Sequence, residues 1–255
     1  MAHAVQLPVA GPLQDELSKT ANARLYPSLT DPNFLVLRSR RLIFSNWIAQ
    51  LSGSDLHVLD IGGRYQPYRP LFGDRASRYI GCDIVATKCV SVVGDGESLP
   101  FAENTFDVVV ATQVFEYFLD PRNAGRQIHR VLKPGGCLLM SVAATAPRCV
   151  DDEFWRFTAN GIRAILSDFS EVKILAETSS IGGIVRVFNV ALRSFLRPRF
   201  LQTAASATLI PLLNLAGLGC EGLRITNNDQ FAPNYSVLAV RAQAHEPPVA
   251  QDSAR

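Results

Sequence analysis

The stretch VLDIGGRYQPYRPLF, residues 58–72, decides how this chain is read. Val58, Leu59 and Ile61 around Asp60 have the apolar density of a strand buried on both faces. Gly62 and Gly63 follow, where a nucleotide-binding loop turns into a helix. Arg64, Tyr65 and two prolines then stand where such loops usually carry more glycine. The reading begins from that mixture: a cofactor loop, an altered one, or a plain turn.

The surrounding chain favours a ligand-binding α/β domain. Its 255 residues and 47% hydrophobic content suit one large domain or two small ones. The net charge of +2 and the lack of a basic stripe through the main body argue against a nucleic-acid partner. Five cysteines form no CxxC pair, which points to buried thiols in a reducing compartment. The first residues have neither a basic start nor a continuous apolar core, so no signal peptide is expected and the location is read as cytoplasmic.

From residue 57 onward, strand-like and helix-like segments alternate. HVLDIGG, RYIGCDI, CVSVVGD, TFDVVVATQ, CLLMSVA, EVKILAET and NYSVLAVRA read as seven strands. This predicts an α/β, doubly wound, mostly parallel, Rossmann-like sheet, with a helical insertion between the last two strands. Residues 1–30 are expected to be loosely ordered, 31–242 to form the domain with 181–225 as a helical cap, and 243–255 to be a disordered tail. A helix is expected from Asp31-Pro32, with Asp31 as cap, packed against the sheet edge. Thr158 is expected to cap a later helix.

In such sheets ligands bind beyond the carboxyl ends of the strands, where the strand order reverses. Asp60, Gly62 and Gly63 end the first strand. Asp83 ends the second, 23 positions after Asp60, where a carboxylate can accept hydrogen bonds from ribose hydroxyls. Asp95 ends the third and can face an exocyclic amine.

These residues continue into Gly94-Asp95-Gly96-Glu97-Ser98-Leu99-Pro100-Phe101, Phe106-Asp107-Val108-Val109, Gln113-Val114-Phe115-Glu116-Tyr117 and Leu132-Lys133-Pro134-Gly135-Gly136. In that order they resemble the class I S-adenosylmethionine-dependent methyltransferases of the small-molecule type, over about residues 55–145. The resemblance implies S-adenosyl-L-methionine as cofactor. It places Asp60, Gly62 and Gly63 at the methionine end, Asp83 at the ribose, Asp95 and Gly96 at the adenine, and Gln113 and Val114 at the sulfonium. Arg64 and Gln66 depart from the family's later glycines, and Tyr117 stands where relatives often carry histidine.

Methyl transfer to a hydroxyl benefits from a base. Glu116 and Asp152 are the candidates, with Asp151 and Glu153 beside them. DDEFWRFT resembles a stretch of methyltransferases associated with surface-polysaccharide and glycolipid synthesis. Trp155 and Arg156 are therefore candidate acceptor-binding residues, a flat apolar face and a charged fork; packing as core is the competing role. No metal site is expected. The expected acceptor is a small molecule, a sugar or a lipid-linked metabolite. Two other readings stay open: a non-catalytic binding protein on the same fold, and an NAD(P)-dependent oxidoreductase.

Residues 181–225 stand apart. Arg186, Asn189, Arg193 and Arg197 form a narrow polar stripe on an otherwise apolar helix, followed by a charge-free run from Arg199 to Glu221. A buried cap or homodimer face through 183–219 is expected first. A peripheral contact with the inner face of the membrane is the alternative.

Overall fold

The computed structural model describes residues 11–147, 151–196, 198–223 and 228–243. In chain order these residues form α1 (Gly11–Leu25), α2 (Phe34–Gln50), β1 (Leu56–Ile61), β2 (Ala76–Asp83), β3 (Val90–Val93), β4 (Phe106–Thr112), α3 (Pro121–Val131), β5 (Leu132–Ala143), α4 (Ala159–Ile165), β6 (Glu171–Ala176), α5 (Ser180–Phe195), α6 (Arg199–Ala207), α7 (Leu209–Gly222) and β7 (Asn234–Val240). The strands make one sheet in the order β3-β2-β1-β4-β5-β7-β6. β1 to β5 are mutually parallel, and β7 runs antiparallel between β5 and β6. The strand order reverses between β1 and β4, so the rim above their C-terminal ends is where a ligand belongs.

Strand alternation explains the two cores. Val58, Val108, Val110 and Leu139 point to one face, where Phe44, Trp47 and Ile48 of α2 meet them together with Tyr68 and Phe72. Leu59, Val109, Ala111 and Met140 point to the other, under Ala124, Ile128 and Val131 of α3 and Ile162 of α4. Both faces of the central strands are therefore dry, which is why they read as unbroken apolar runs. Thr158 caps α4, its hydroxyl accepting from the Gly161 N–H at 3.1 Å, as its position suggests.

Three expectations are corrected. Residues 11–25, read as loosely ordered, form α1, which is anchored by the buried side chain of Leu25 in the α2-side core; residues 1–10 lie outside the described residues. α2 begins at Phe34 rather than at Pro32, because Asp31 spends its carboxylate on the Asn33 N–H at 2.7 Å in a turn before the helix. α2 also packs over the face of the sheet rather than its edge, since Phe44, Trp47 and Ile48 need the apolar surface of β1, β4 and β5. The last expected segment lies almost wholly outside the described residues, which end at Gln243.

Candidate active site

At the β1 end of the rim the backbone turns under tight constraint. Gly62 has φ +72°, a left-handed conformation that favours glycine, and its N–H donates to the Cys82 carbonyl at 2.9 Å. A Cβ on Gly63 would stand 2.6 Å from the Asp60 carbonyl oxygen. The helix expected after this loop is replaced by two 3-10 turns, Arg69–Leu71 and Gly73–Arg75, flanked by the buried rings of Tyr68 and Phe72. Gln66 does the work of a missing glycine. It adopts φ +48°, is buried, and donates its side-chain amide to the Cys89 carbonyl, tying the loop to the connection after β2. Arg69 in turn donates to the Gln66 side-chain oxygen at 3.2 Å.

The carboxylates at this end differ in what they face. Asp60 turns its carboxyl to the Tyr79 hydroxyl at 2.8 Å, beneath the loop; burial, with a smaller push from Asp83, raises its pKa to about 7. It supports the loop through that bond, and of the two glycines that follow, Gly62 is half-buried and Gly63 buried. Asp83 closes β2, accepting from the Val85 N–H at 2.8 Å and from Arg64 at 3.1 Å. Asp95 is exposed and accepts from the Glu97 N–H at 2.9 Å. Gly96 is required by packing, because a Cβ there would stand 2.6 Å from the Phe118 ring. Val114 sits against Gly62, at 3.1 Å from where a Cβ would be.

Beside this end, above β4, β5 and β7, lies a cavity of about 490 Å³. Gln113, at φ +53°, brings its side chain to its edge and donates to the Ser141 hydroxyl at 3.2 Å. Glu116 lines the same cavity at 2% exposure. One carboxyl oxygen accepts from the Ala143 N–H at 2.5 Å, while Oε2 is buried with no hydrogen-bond partner among the described residues. Burial raises the Glu116 pKa to about 7, against the lowering effect of its backbone hydrogen bonds and of Arg40 and Arg156. Such a group holds and releases a proton near neutrality, as a general base must.

Under the cavity lies a buried ion pair. Arg40 of α2 grips Glu177 in a fork, with both N···O distances 2.8 Å, and Glu177 also accepts from Ser141 at 2.5 Å and Ser236 at 2.9 Å. Burial pulls the Arg40 pKa down, and Glu177 more than offsets it, leaving it raised. Asn234 exchanges a hydrogen bond with the Gln113 amide next to this pair. Arg24, Arg156 and Arg186 join Arg40 in a lining that also carries Asp31, Glu116 and Glu153, with Arg186 donating to the Asn33 side chain at 3.0 Å.

Other expected residues fall elsewhere. Asp152 is exposed and lines neither cavity, so it is displaced as a base candidate; its neighbour Glu153 lines the first cavity and pairs with Arg156 at 2.5 Å. Trp155 borders a second cavity, of about 480 Å³, and donates its indole N–H to the Phe118 carbonyl at 2.7 Å. Arg156 borders both cavities, and it also clips its own loop together through the Ala146, Pro147 and Trp155 carbonyls. Sequence reasoning missed Arg40, Glu177, Asn33 and Asn234. The one available signal was the pair Arg40-Arg41 within an apolar helical pattern, a costly charge to bury without a function.

Comparison with known proteins agrees with the motif-bearing half. Residues 59–140 match the family described as a methyltransferase domain. An uncharacterized methyltransferase of Mycobacterium sp. (strain KMS) is 33% identical over 94 residues, which are 33% of this chain and 37% of that protein. The protein YafE of Escherichia coli K12 is 37% identical over 70 residues, 28% of this chain and 33% of the other. The chain thus aligns with about a third of the length of these relatives. Among solved structures, the [4+2]-cyclase SpnF superposes with a TM-score of 0.50 at 18% identity, over 79% of this chain and 81% of its own. That likeness establishes the Rossmann-like methyltransferase fold and leaves the reaction open.

S-adenosylmethionine is the cofactor of the matched domain. The residues present fit it: a carboxylate at the end of β2 for a ribose diol, glycine backbone with no room for a Cβ, and an uncharged Gln113-Val114 corner between that end and the cavity.

Proposed function

We propose that this chain methylates a small polar acceptor bound in the 490 Å³ cavity, at a hydroxyl of a sugar, a glycolipid headgroup or a related metabolite, with Glu116 as general base. One observation carries the reading: the Glu116 carboxyl is buried, with an oxygen lacking a hydrogen-bond partner among the described residues, and lines a cavity next to the motif that reads as the cofactor loop. S-adenosylmethionine, when bound, supplies a methyl group already activated by positive sulfur. Asp83 would hold its ribose, the Gly62-Gly63 backbone its methionine end, and Asp95 its adenine. What remains for the protein is orientation and a proton sink. Orientation alone can supply up to ~7–11 kcal/mol in well-aligned cases. Glu116 takes the hydroxyl proton as the acceptor oxygen becomes nucleophilic. The arginines of the lining favour an acceptor that carries phosphate or carboxylate.

Calorimetric titration with S-adenosylhomocysteine, followed by mass spectrometry of methyl transfer to sugar and lipid-linked acceptors, tests this. Binding with mass gain on an acceptor is the expected result. One observation favours a second reading, a cofactor- or partner-binding protein without catalysis: Arg64 lies on Asp83, the carboxylate a ribose needs. S-adenosylhomocysteine binding without any methylated product would favour it. Heat released by NAD(P) instead would return the oxidoreductase reading.

A further inference from the structure

The helices between β6 and β7 are built inside out. α5 buries Ser180, Arg186 and Asn189 and turns Ile184, Phe188 and Phe195 to the outside. α7 buries Asn214 beside Ile210, Asn214 accepting from Asn189 at 3.0 Å and donating to the Leu29 and Asp31 carbonyls, and exposes Leu212 and Leu215. Phe195 is 82% exposed and Phe200, on α6, 71%. Water-facing helices have the opposite polarity, and exposed apolar surface of this extent marks a contact site.

We propose that the outer face of α5–α7 lies on an anionic lipid bilayer. Charge selects this occupant. Between Ser180 and Gly222 the only acidic residue is Glu221, and the exposed Arg193 and Arg199 flank Phe195 and Phe200 at the turn between α5 and α6. Aromatic side chains among arginines match the boundary between acyl chains and acidic headgroups. A second copy docked through the same turn would set these arginines against each other with no acid on the face to answer them.

The geometry also fixes how the bilayer is met. Arg199–Gly222 is long and apolar enough to cross a membrane, and only 17% of its most apolar window is buried. Yet it is divided at Thr208 into helices of 9 and 14 residues. At ~1.5 Å per residue neither spans a hydrocarbon core of ~30 Å, and the chain must return to β7 inside the sheet. The helices therefore lie in the interface plane. The inner side of α5 carries Arg186 into the cavity, so a lipid-linked acceptor can reach it from the surface; this last consequence alone rests on the function proposed above.

The test is flotation of the full chain with phosphatidylcholine vesicles, with and without phosphatidylglycerol. The chain is expected to float with the anionic vesicles and to lose most of that binding at high salt. Phe195→Ser/Phe200→Ser should lower partitioning by roughly tenfold or more for each ring. Arg193→Glu/Arg199→Glu should lower it by about fivefold or more per site at low salt. All four side chains are exposed, so thermal melts should match the wild type. Absence of flotation with anionic vesicles overturns the proposal, as does flotation indifferent to both double substitutions. A lipid-free dimer by light scattering that Phe195→Ser/Phe200→Ser dissociates would assign the face to a second copy instead.

Discussion

The two ends of the sheet's upper rim follow opposite building rules. The end over β1–β3 comes from one continuous stretch, 58–97, and its parts are held by neighbours: Gly62 on Cys82, Gln66 on Cys89, Arg64 on Asp83. The cavity over β4, β5 and β7 is assembled from α1, α2, residues 113–117, 143–147 and 153–156, α5 and the first residue of β7. Its floor joins Arg40 to Glu177 across 137 positions. The first end is a motif and can be read locally. The second exists only once the whole chain has folded, so it is free to change its acceptor while the motif stays put.

That division predicts where the largest effect lies. Glu116 is where the two ends meet, two residues after Val114 in sequence and in the cavity wall in space. Glu116→Gln keeps the shape and removes the base, so kcat for a hydroxyl acceptor should fall ~10²–10⁴-fold with unchanged affinity for S-adenosylhomocysteine. Wild-type kcat should rise with pH through about 7 as the carboxylate forms. Stability should move the other way. A carboxyl raised from 4.5 to about 7 on folding contributes fully below its unfolded value and loses that contribution as pH climbs through about 7. Asp60 gives the same trend, so the comparison of wild type with Glu116→Gln isolates this group. An unchanged pH–rate profile in the variant would remove Glu116 from the reaction.

Next in size is the assembled floor. Arg40→Met leaves Glu177 buried without its cation and should cost ~3–5 kcal/mol, a fall in Tm of roughly 6–20 °C for a chain of this size. Arg40→Met/Glu177→Gln should recover much of the loss, because no uncompensated charge remains. If the two single effects simply add, the pair is not coupled as the 2.8 Å fork requires.

The motif end should be more forgiving of folding and less of binding. Asp83→Ala should leave the melt near that of the wild type and weaken S-adenosylhomocysteine by ~1.5–3 kcal/mol, the worth of hydrogen bonds to a charged acceptor. Unaltered affinity in a folded variant would refute the ribose assignment and with it the contrast between the two ends.

What the sequence disclosed follows the same line. All seven strands were legible, because their apolar runs are buried on both faces. Asp83, Gln113 and Glu116 were legible because each follows the end of a strand or closes it. Asp152 misled, since a loop's acids carry no periodicity to say which one turns inward, and Glu153 does. Trp155 and Arg156 line a common cavity as neighbours, but one residue along an extended loop is enough for Arg156 to reach the first cavity as well while Trp155 does not. Arg40 and Glu177 were invisible because nothing local pairs positions that distant.

The smallest expected effect bears on the question the glycine loop raises. Arg64 replaces a residue that would usually be small, and it donates to Asp83 at 3.1 Å. Its side chain is 37% exposed, so the ion pair is worth only ~0.2–1 kcal/mol. A ribose competing for the same carboxylate must displace or share that contact. Arg64→Ala should therefore tighten S-adenosylhomocysteine by about 1.4- to 5-fold, the more so at low salt, where the competing pair is strongest. Arg64→Ala combined with Asp83→Ala should show no such gain, because the gain requires the freed carboxylate. Weaker binding in Arg64→Ala would mean that the arginine holds Asp83 in place for the ligand instead of guarding it. In that case the altered second half of the loop is part of the binding site, and the motif's ligand-holding part extends past Gly63 to Arg64.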